Sequence, residues 1–413
     1  MAEDSQLLNG PATPLYVLRG HAAPIHALNV FSRNLRLVSG DADGWVVMWD
    51  LVTKRPVAAW KAHAGAVLEL KGFERGQGIT EIYTHGRDHK LCVWKIRAED
   101  EGFLGKSLPV DVASSGTQKT QAQPWLLHSL PVNALNFCAF SMTTVTSPDA
   151  EKSGDAAPKA AFFAVPNALD SGGIDIFHLP SERRLTTIAS DPSVQTGMVM
   201  AVNLFFTSAG DLFVASAYED GHVMVFAHKE PLTPAKFEPT SSKPWMWEKV
   251  YICRPHTQPV LSIDVAPTKD FFLSSSADSL IVKHPIPGTG TVDGVPVINY
   301  KEEAPLKVVN TKHSGQQGLQ IRSDGKIFAT AGWDSRVRVY SGKTMKELAV
   351  LKWHKDGCYC VAFGETTPAE PKADIHTEKS LVAVQNQRNQ KIHQTHWLAA
   401  GSKDGKISLW DIY

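Results

Sequence analysis

The sequence is short of three things, and each shortage narrows its reading. Cysteine is scarce, with five in 413 residues. A small, odd number in a long chain is not a disulfide framework; it fits reduced thiols in the cytosol or nucleus. Neither sign of charge is in excess, because 42 Lys and Arg face 42 Asp and Glu. Proteins that grip nucleic acid through its phosphates carry a basic surplus, so direct nucleic-acid binding is not expected. Long apolar runs are missing too, and none would span a bilayer. The opening MAEDSQLLNG lacks the basic and apolar regions of a secretory leader, and no Asn-x-Ser/Thr sequon occurs. An intracellular protein is the expectation.

What is present is a recurring unit. A loop Asp is followed six residues later by a ring: Asp43 by Trp49, Asp88 by Trp94, Asp220 by Phe226, Asp278 by His284, Asp334 by Tyr340 and Asp404 by Trp410. Between them, small or polar residues alternate with branched apolar ones, as in GWVVMW and GKISLW. That is the period of a half-buried strand. Upstream stands a histidine. His21 precedes Asp43 by 22 residues, His256 precedes Asp278 by 22, His313 precedes Asp334 by 21 and His63 precedes Asp88 by 25. Units of about 40–45 residues that open with Gly-His and close with Trp-Asp are WD repeats. Gly20-His21 and Trp49-Asp50 bound the first copy, and Trp410-Asp411 ends the last.

Seven units are counted, the third (His128, Asp170, Phe177) and fourth (Asp220, Phe226) being the weakest. The expected fold is all-β: one seven-bladed WD-repeat propeller over residues 13–413, behind a short tail of residues 1–12. A four-stranded blade alone is mostly edge and face, and stacking seven around a channel buries the faces. The polar, Pro/Gly/Ser-rich stretches at about 98–124 and 143–160 read as insertions that should be mobile. A further insertion at about 365–395 accounts for the 50 residues between His354 and Asp404, and a smaller loop lies near 229–244. The last unit ends at its third strand, so Thr13 to Arg19 is expected to complete the last blade and close the ring.

The units also offer polar quartets, complete in the first two. In the first it is His21, Ser39, Asp43 and Trp49; in the second, His63, Thr84, Asp88 and Trp94. Indole N–H to hydroxyl, hydroxyl to imidazole and imidazole to carboxylate form a self-satisfied buried chain. The fifth unit keeps Ser274 and Asp278 but has His284 for Trp. The sixth keeps His313, Thr330 and Asp334 but has Tyr340. The seventh has His354, Asp404 and Trp410, with Ala400 where the hydroxyl should be. These groups read as structural.

Residues just before the loop Asp point to one rim: Ala42, Arg87, Glu219, Ala277, Trp333 and Lys403. Arg and Trp are typical interface anchors, so Arg87 and Trp333 lead as partner contacts, with Glu219 and Lys403 beside them. Cys358 and Cys360 lie near His354 and would share a strand face, but zinc would need two further ligands. No metal, cofactor or catalytic constellation stands out of the repeat.

Two longer stretches, GWDSRVRVYSGKTMKELAVLKWHKDGCYCVAF from Gly332 and LAAGSKDGKISLWDIY from Leu398, resemble the fungal ASTRA-associated protein 1 family. They are also similar to its animal relative, guanine nucleotide-binding protein β-subunit-like protein 1. The amino-terminal LRGHAAPIHALNVF agrees. The resemblance implies a non-catalytic scaffold subunit of the ASTRA complex, in the nucleus, with the cytoplasm as a second location. The partners it implies are a kinase-related scaffold, the RuvB-like ATPases and the Tel–Tti co-chaperones. It links the chain to chromatin remodelling and to maturation of phosphatidylinositol-kinase-related kinases. A peptide or histone-tail reader using the top of the channel is the alternative.

Overall fold

In a computed structural model, residues 13–115, 122–134, 137–145, 160–229, 245–292, 295–298, 304–366 and 381–412 are described. Among them, seven four-stranded antiparallel sheets follow one another around a channel. The blades span residues 25–61, 67–131, 141–188, 199–253, 260–310, 316–351 and 358–411. Each runs from an inner strand on the channel to an outer strand on the circumference. The alternation read from GWVVMW becomes the third strand Trp45–Asp50, paired on both sides.

The seventh sheet closes the ring. Its inner, second and third strands are Cys358–Phe363, Trp397–Ser402 and Lys406–Asp411, and its outer strand is Tyr16–Arg19. Tyr16 lies opposite Leu409 and Arg19 opposite Lys406. Leu18, 1% exposed, drops into an apolar cluster with Ile25, Val47, Trp49, Ile407 and Leu409. That cluster joins the seventh blade to the first. Each further cluster likewise lies between two consecutive blades; Phe272 packs between the fourth and fifth, and Phe328 between the fifth and sixth. The core is thus a set of wedges between faces, which is why no blade is stable alone.

A second set of contacts runs around the channel wall. The inner strand of a blade has no strand beyond it, so its outward N–H groups need acceptors. Side chains of the preceding blade supply them. Asn29 Oδ1 accepts from Gly72 N at 2.9 Å, and Ser141 Oγ accepts from Leu204 N at 2.9 Å. Asp264 Oδ2 accepts from Ile321 N at 2.7 Å, and Gln320 Oε1 accepts from Phe363 N at 2.6 Å. Asn29, Asp264 and Gln320 each stand four residues after the first residue of their strand (25, 260 and 316). The periodic signal was therefore present in the sequence, though masked by the louder Asp-to-ring spacing.

Two insertions carry ordered structure, one of them, 98–124, expected to be mobile. Within 98–124, Gly105 N–H donates to Ala122 O, Gly105 O accepts from Ala59 N, and Pro109–Ser115 forms a short helix, α1. Leu108, ahead of it, packs on the first-blade core. Within 365–395, the helix α2 spans Leu381–Gln394. Its base is held by Asn34, which is fully buried at φ +69°. The Asn34 amide donates to Glu365 O at 2.9 Å and His393 O at 3.1 Å, while its Oδ1 accepts from Glu365 N at 2.7 Å. The tail 1–12 and the stretches 116–121, 146–159, 230–244 and 367–380 lie outside the described residues.

Candidate functional site

Beneath the rim, the quartets are partly as read and partly different. In the second blade His63 Nε2 meets Thr84 Oγ1 at 2.8 Å and His63 Nδ1 meets Asp88 Oδ1 at 2.9 Å. Trp94 Nε1 donates to the same hydroxyl at 3.0 Å. The hydroxyl spends its own hydrogen on the ring, which leaves Nδ1–H for the carboxylate. Burial alone would raise the Asp88 carboxyl, but the bonds from His63 and the Ala64 N–H hold it below its ordinary value.

In the first blade the carboxylate is Asp41, not Asp43. His21 Nδ1 meets Asp41 Oδ2 at 2.7 Å, its Nε2 meets Ser39 Oγ at 2.7 Å, and Trp49 Nε1 donates to Ser39 at 2.9 Å. Asp41 ends the second strand fully buried, and its other oxygen accepts the N–H of Asp43 and Trp45. Asp43 itself is exposed at the turn tip. Both acids stand in one DAD run, and spacing could not separate them.

The fifth blade keeps a complete chain: His256 bonds Ser274 at 2.8 Å, Ser274 bonds His284 at 2.8 Å, and His284 reaches Tyr251 of the fourth blade at 2.9 Å. The sixth corrects the reading. His313 is exposed, with its ring 3.8 Å from Asp334, and Thr330 donates to Gln316 at 2.7 Å instead. Gln316, fully buried, fills the slot that imidazole fills elsewhere, and Asp334 pairs with Arg338 at 2.6 Å. In the seventh, the missing hydroxyl comes from Ser408, directly across the ladder from Ala400. It receives Trp410 Nε1 at 2.8 Å and bonds His354 at 2.8 Å, while Asp404 stays 3.8 Å from His354 and takes Lys406 at 2.7 Å.

The weak third unit is differently built. His128 sits on the outer strand of the second blade and pairs with Glu182 at 2.6 Å. The buried polar chain there is Asn133 to Asn167 O, Asn167 to Asp175, and Thr187 to Asp175. Asp170 caps its turn through Ser190 N and Gly172 N. In the fourth, Asp220 holds His222 at 2.6 Å. Cys358 and Cys360 do not share a face. A bulge between them sends Cys358 into the sixth–seventh cluster and Cys360 into the seventh–first.

Several histidines are held neutral by burial, inside these chains and outside them. His85 is fully buried against Phe140, and burial, with His63 adding to it, pushes its ring down to about 3. Burial likewise holds His284 and His354 below the ordinary imidazole value. Such groups stay neutral when folded and take a proton when unfolded. Their destabilisation therefore begins as pH falls through about 6.5 and grows toward each folded value. Asp264, raised by burial to about 6, works the other way and offsets part of it. We expect the melting temperature to fall between pH 7 and pH 5. His85→Leu should recover about 2 kcal/mol of that loss, at roughly 1.4 kcal/mol per pH unit below 6.5. A wild-type pH profile for that variant in thermal unfolding would contradict the assignment.

Above these chains the rim opens on a channel of ≈ 970 Å³ whose lining includes Phe137, Gln317, Trp333, Lys355, Tyr359 and Lys403. Arg87 lays its guanidinium over the exposed Phe137 ring, 3.7 Å from the centroid. Glu219 is turned back on its own blade and accepts from Met198 N at 3.2 Å. Trp333 is 48% exposed and donates its indole N–H to Gln317 at 2.6 Å. Behind it Gly315 has φ +74°, and a Cβ there would meet the indole at 2.2 Å. Lys403 is exposed, with its backbone N–H on Gly357 O at 2.9 Å.

The sequence model of the family described as ASTRA-associated protein 1 matches residues 14–410. Among curated relatives of that name, one from Penicillium rubens is 64% identical over all of both chains. One from Aspergillus flavus is 58% identical, covering 98% of this chain and 99% of its own. One from Schizosaccharomyces pombe is 33% identical, covering 97% and 99%. The chain therefore belongs to the ASTRA-associated protein 1 family.

Proposed function

We propose that this protein is a scaffold subunit associated with the ASTRA complex, acting by binding rather than catalysis. The observation that carries the reading is the end-to-end match to relatives named for that association, on a fold built to present surfaces. In this reading the partners are the kinase-related scaffold, the RuvB-like ATPases and the Tel–Tti co-chaperones. The site of action is the nucleus, and the processes served are chromatin remodelling and kinase maturation. Arg87, Trp333 and Lys403 are the proposed contact residues, with Glu219, exposed but engaged with Met198 N, beside them. Affinity purification of the tagged full chain from its own cells should recover those proteins by mass spectrometry. Recovery of none of them sinks the reading.

A histone-tail reader is the weaker proposal. Such a tail is lysine-rich, and Lys355, Lys403 and Arg87 at the channel mouth would repel it. Phe137, the ring best placed to join a cage with others, is already covered by Arg87.

A further inference from the structure

We infer that the channel mouth between the sixth and seventh blades is a docking site for an acidic segment of a partner protein, one that places an apolar or aromatic side chain on Trp333. The inference rests on the reading of the chain as a binding scaffold and names the chemistry of what is bound.

Two observations carry it. The first is a large ring that is exposed yet fixed. Trp333 cannot fold back into the protein, because Gly315 supports one side of its indole and Gln317 holds its N–H. Gly357, in the connection to the seventh blade, lies against its backbone: a Cβ there would come within 3.2 Å of Trp333 O. A solvated rim has no need to hold a half-exposed indole in one place, whereas a binding surface gains by it, since little conformational entropy is then lost on association.

The second is charge. Gly357 also ties in the next turn, by accepting from Lys403 N at 2.9 Å. Trp333 therefore stands between Lys355, two residues before Gly357, and Lys403, both exposed. Arg336 lies three residues further along the Trp333 turn, and its guanidinium bonds Ser335 rather than a carboxylate. Among the described residues, Lys355 and Lys403 make no ion pair, whereas the neighbouring Arg338 and Lys406 are each neutralised by the loop Asp of their turn. Of the acids in the channel lining, Glu69, Asp264 and Asp356, only Asp356 adjoins Lys355 in the chain. Cations left without carboxylates around a fixed apolar surface call for carboxylates from outside, with an apolar group between them. A basic segment would meet repulsion here, and a neutral apolar one would leave the cations uncompensated.

The test is a random-peptide display library panned on the immobilised full-length chain. Two variants are panned in parallel, Trp333→Ala and the double variant Lys355→Glu/Lys403→Glu. The double variant changes only exposed side chains, so it keeps the test informative if Trp333→Ala unfolds. We expect wild-type protein to select peptides rich in Asp and Glu around one aromatic or aliphatic residue. Binding of a labelled winner should weaken at least tenfold in each folded variant, and should weaken as salt is raised. Selection of basic or neutral sequences, enrichment unchanged in the double variant, or no enrichment over it overturns the inference. So does binding of RNA or anionic vesicles at this rim in place of peptides. The purification above separates the two readings. ASTRA proteins recovered equally by wild type and by the double variant would retain the family reading and discard this rim. Their absence from wild type would discard the former and leave the panning result to decide the latter.

Discussion

Removal of residues 1–19 is expected to abolish soluble, monomeric protein. Among the described residues, the edge of Lys406–Asp411 is covered by the outer strand Tyr16–Arg19 and by Leu15, whose N–H donates to Leu409 O, so truncation bares a row of unpaired backbone groups. It also removes Leu18 from the cluster that seals the seventh blade to the first, exposing Ile25, Trp49, Ile407 and Leu409 together. A ring opened at one seam loses the wedge on both sides of it. Expression followed by size-exclusion chromatography checks this, and the expected result is pelleted or void-volume material. Leu18→Asp in the full chain is the gentler version. A carboxylate placed in that 1%-exposed pocket costs several kcal/mol whether it ionises or takes a proton. A truncated chain that elutes as a monomer and melts like wild type would show that the closure is dispensable.

Asp41→Ala should destabilise the protein by about 3 kcal/mol, whereas Asp43→Ala should stay within about 0.5 kcal/mol. The first change strands His21 Nδ1, which is buried, and removes the acceptor of two turn N–H groups at once. The second trims an exposed side chain from the tip. Denaturant unfolding of the pair measures both. If Asp43→Ala is the more damaging, His21 is held by the other acid and the geometry described here is wrong.

These two acids mark how far sequence reasoning reaches. Blade number, blade order and ring closure were legible because one spacing, Asp to ring, repeats with a strand's alternation between. The second-blade quartet was legible residue by residue for the same reason. What failed were substitutions that keep the role and move its source. Gln316 supplies a polar group from the start of an inner strand in place of His313, and Ser408 supplies a hydroxyl from across the ladder in place of Ala400. Hydrogen bonding demands that the slot be filled but not from which strand, so no spacing predicts the residue that fills it. His128 misled for the opposite reason: a histidine at a plausible distance lay on a strand of the preceding blade. The bulge at Cys358 and Cys360 reversed a parity argument, since one extra residue turns every later side chain to the other face. At the channel mouth, Arg87, Trp333 and Lys403 were placed on one rim by their position before the loop Asp. The glycines that immobilise Trp333, and the cations left unpaired beside it, become visible only in the folded structure.

The strand that finishes the seventh blade precedes the first six blades in the chain, and its three companions follow them. During synthesis the first blade must therefore wait, with Ile25, Leu37 and Val47 unsheltered on that side, until residues near 409 have left the ribosome. Contacts separated by nearly the whole chain form slowly, because the intervening polypeptide must be ordered before they can hold. The nascent protein passes through a long interval as an incomplete arc with a sticky end. Its yield in the cell should accordingly depend on whatever shields that end while translation proceeds.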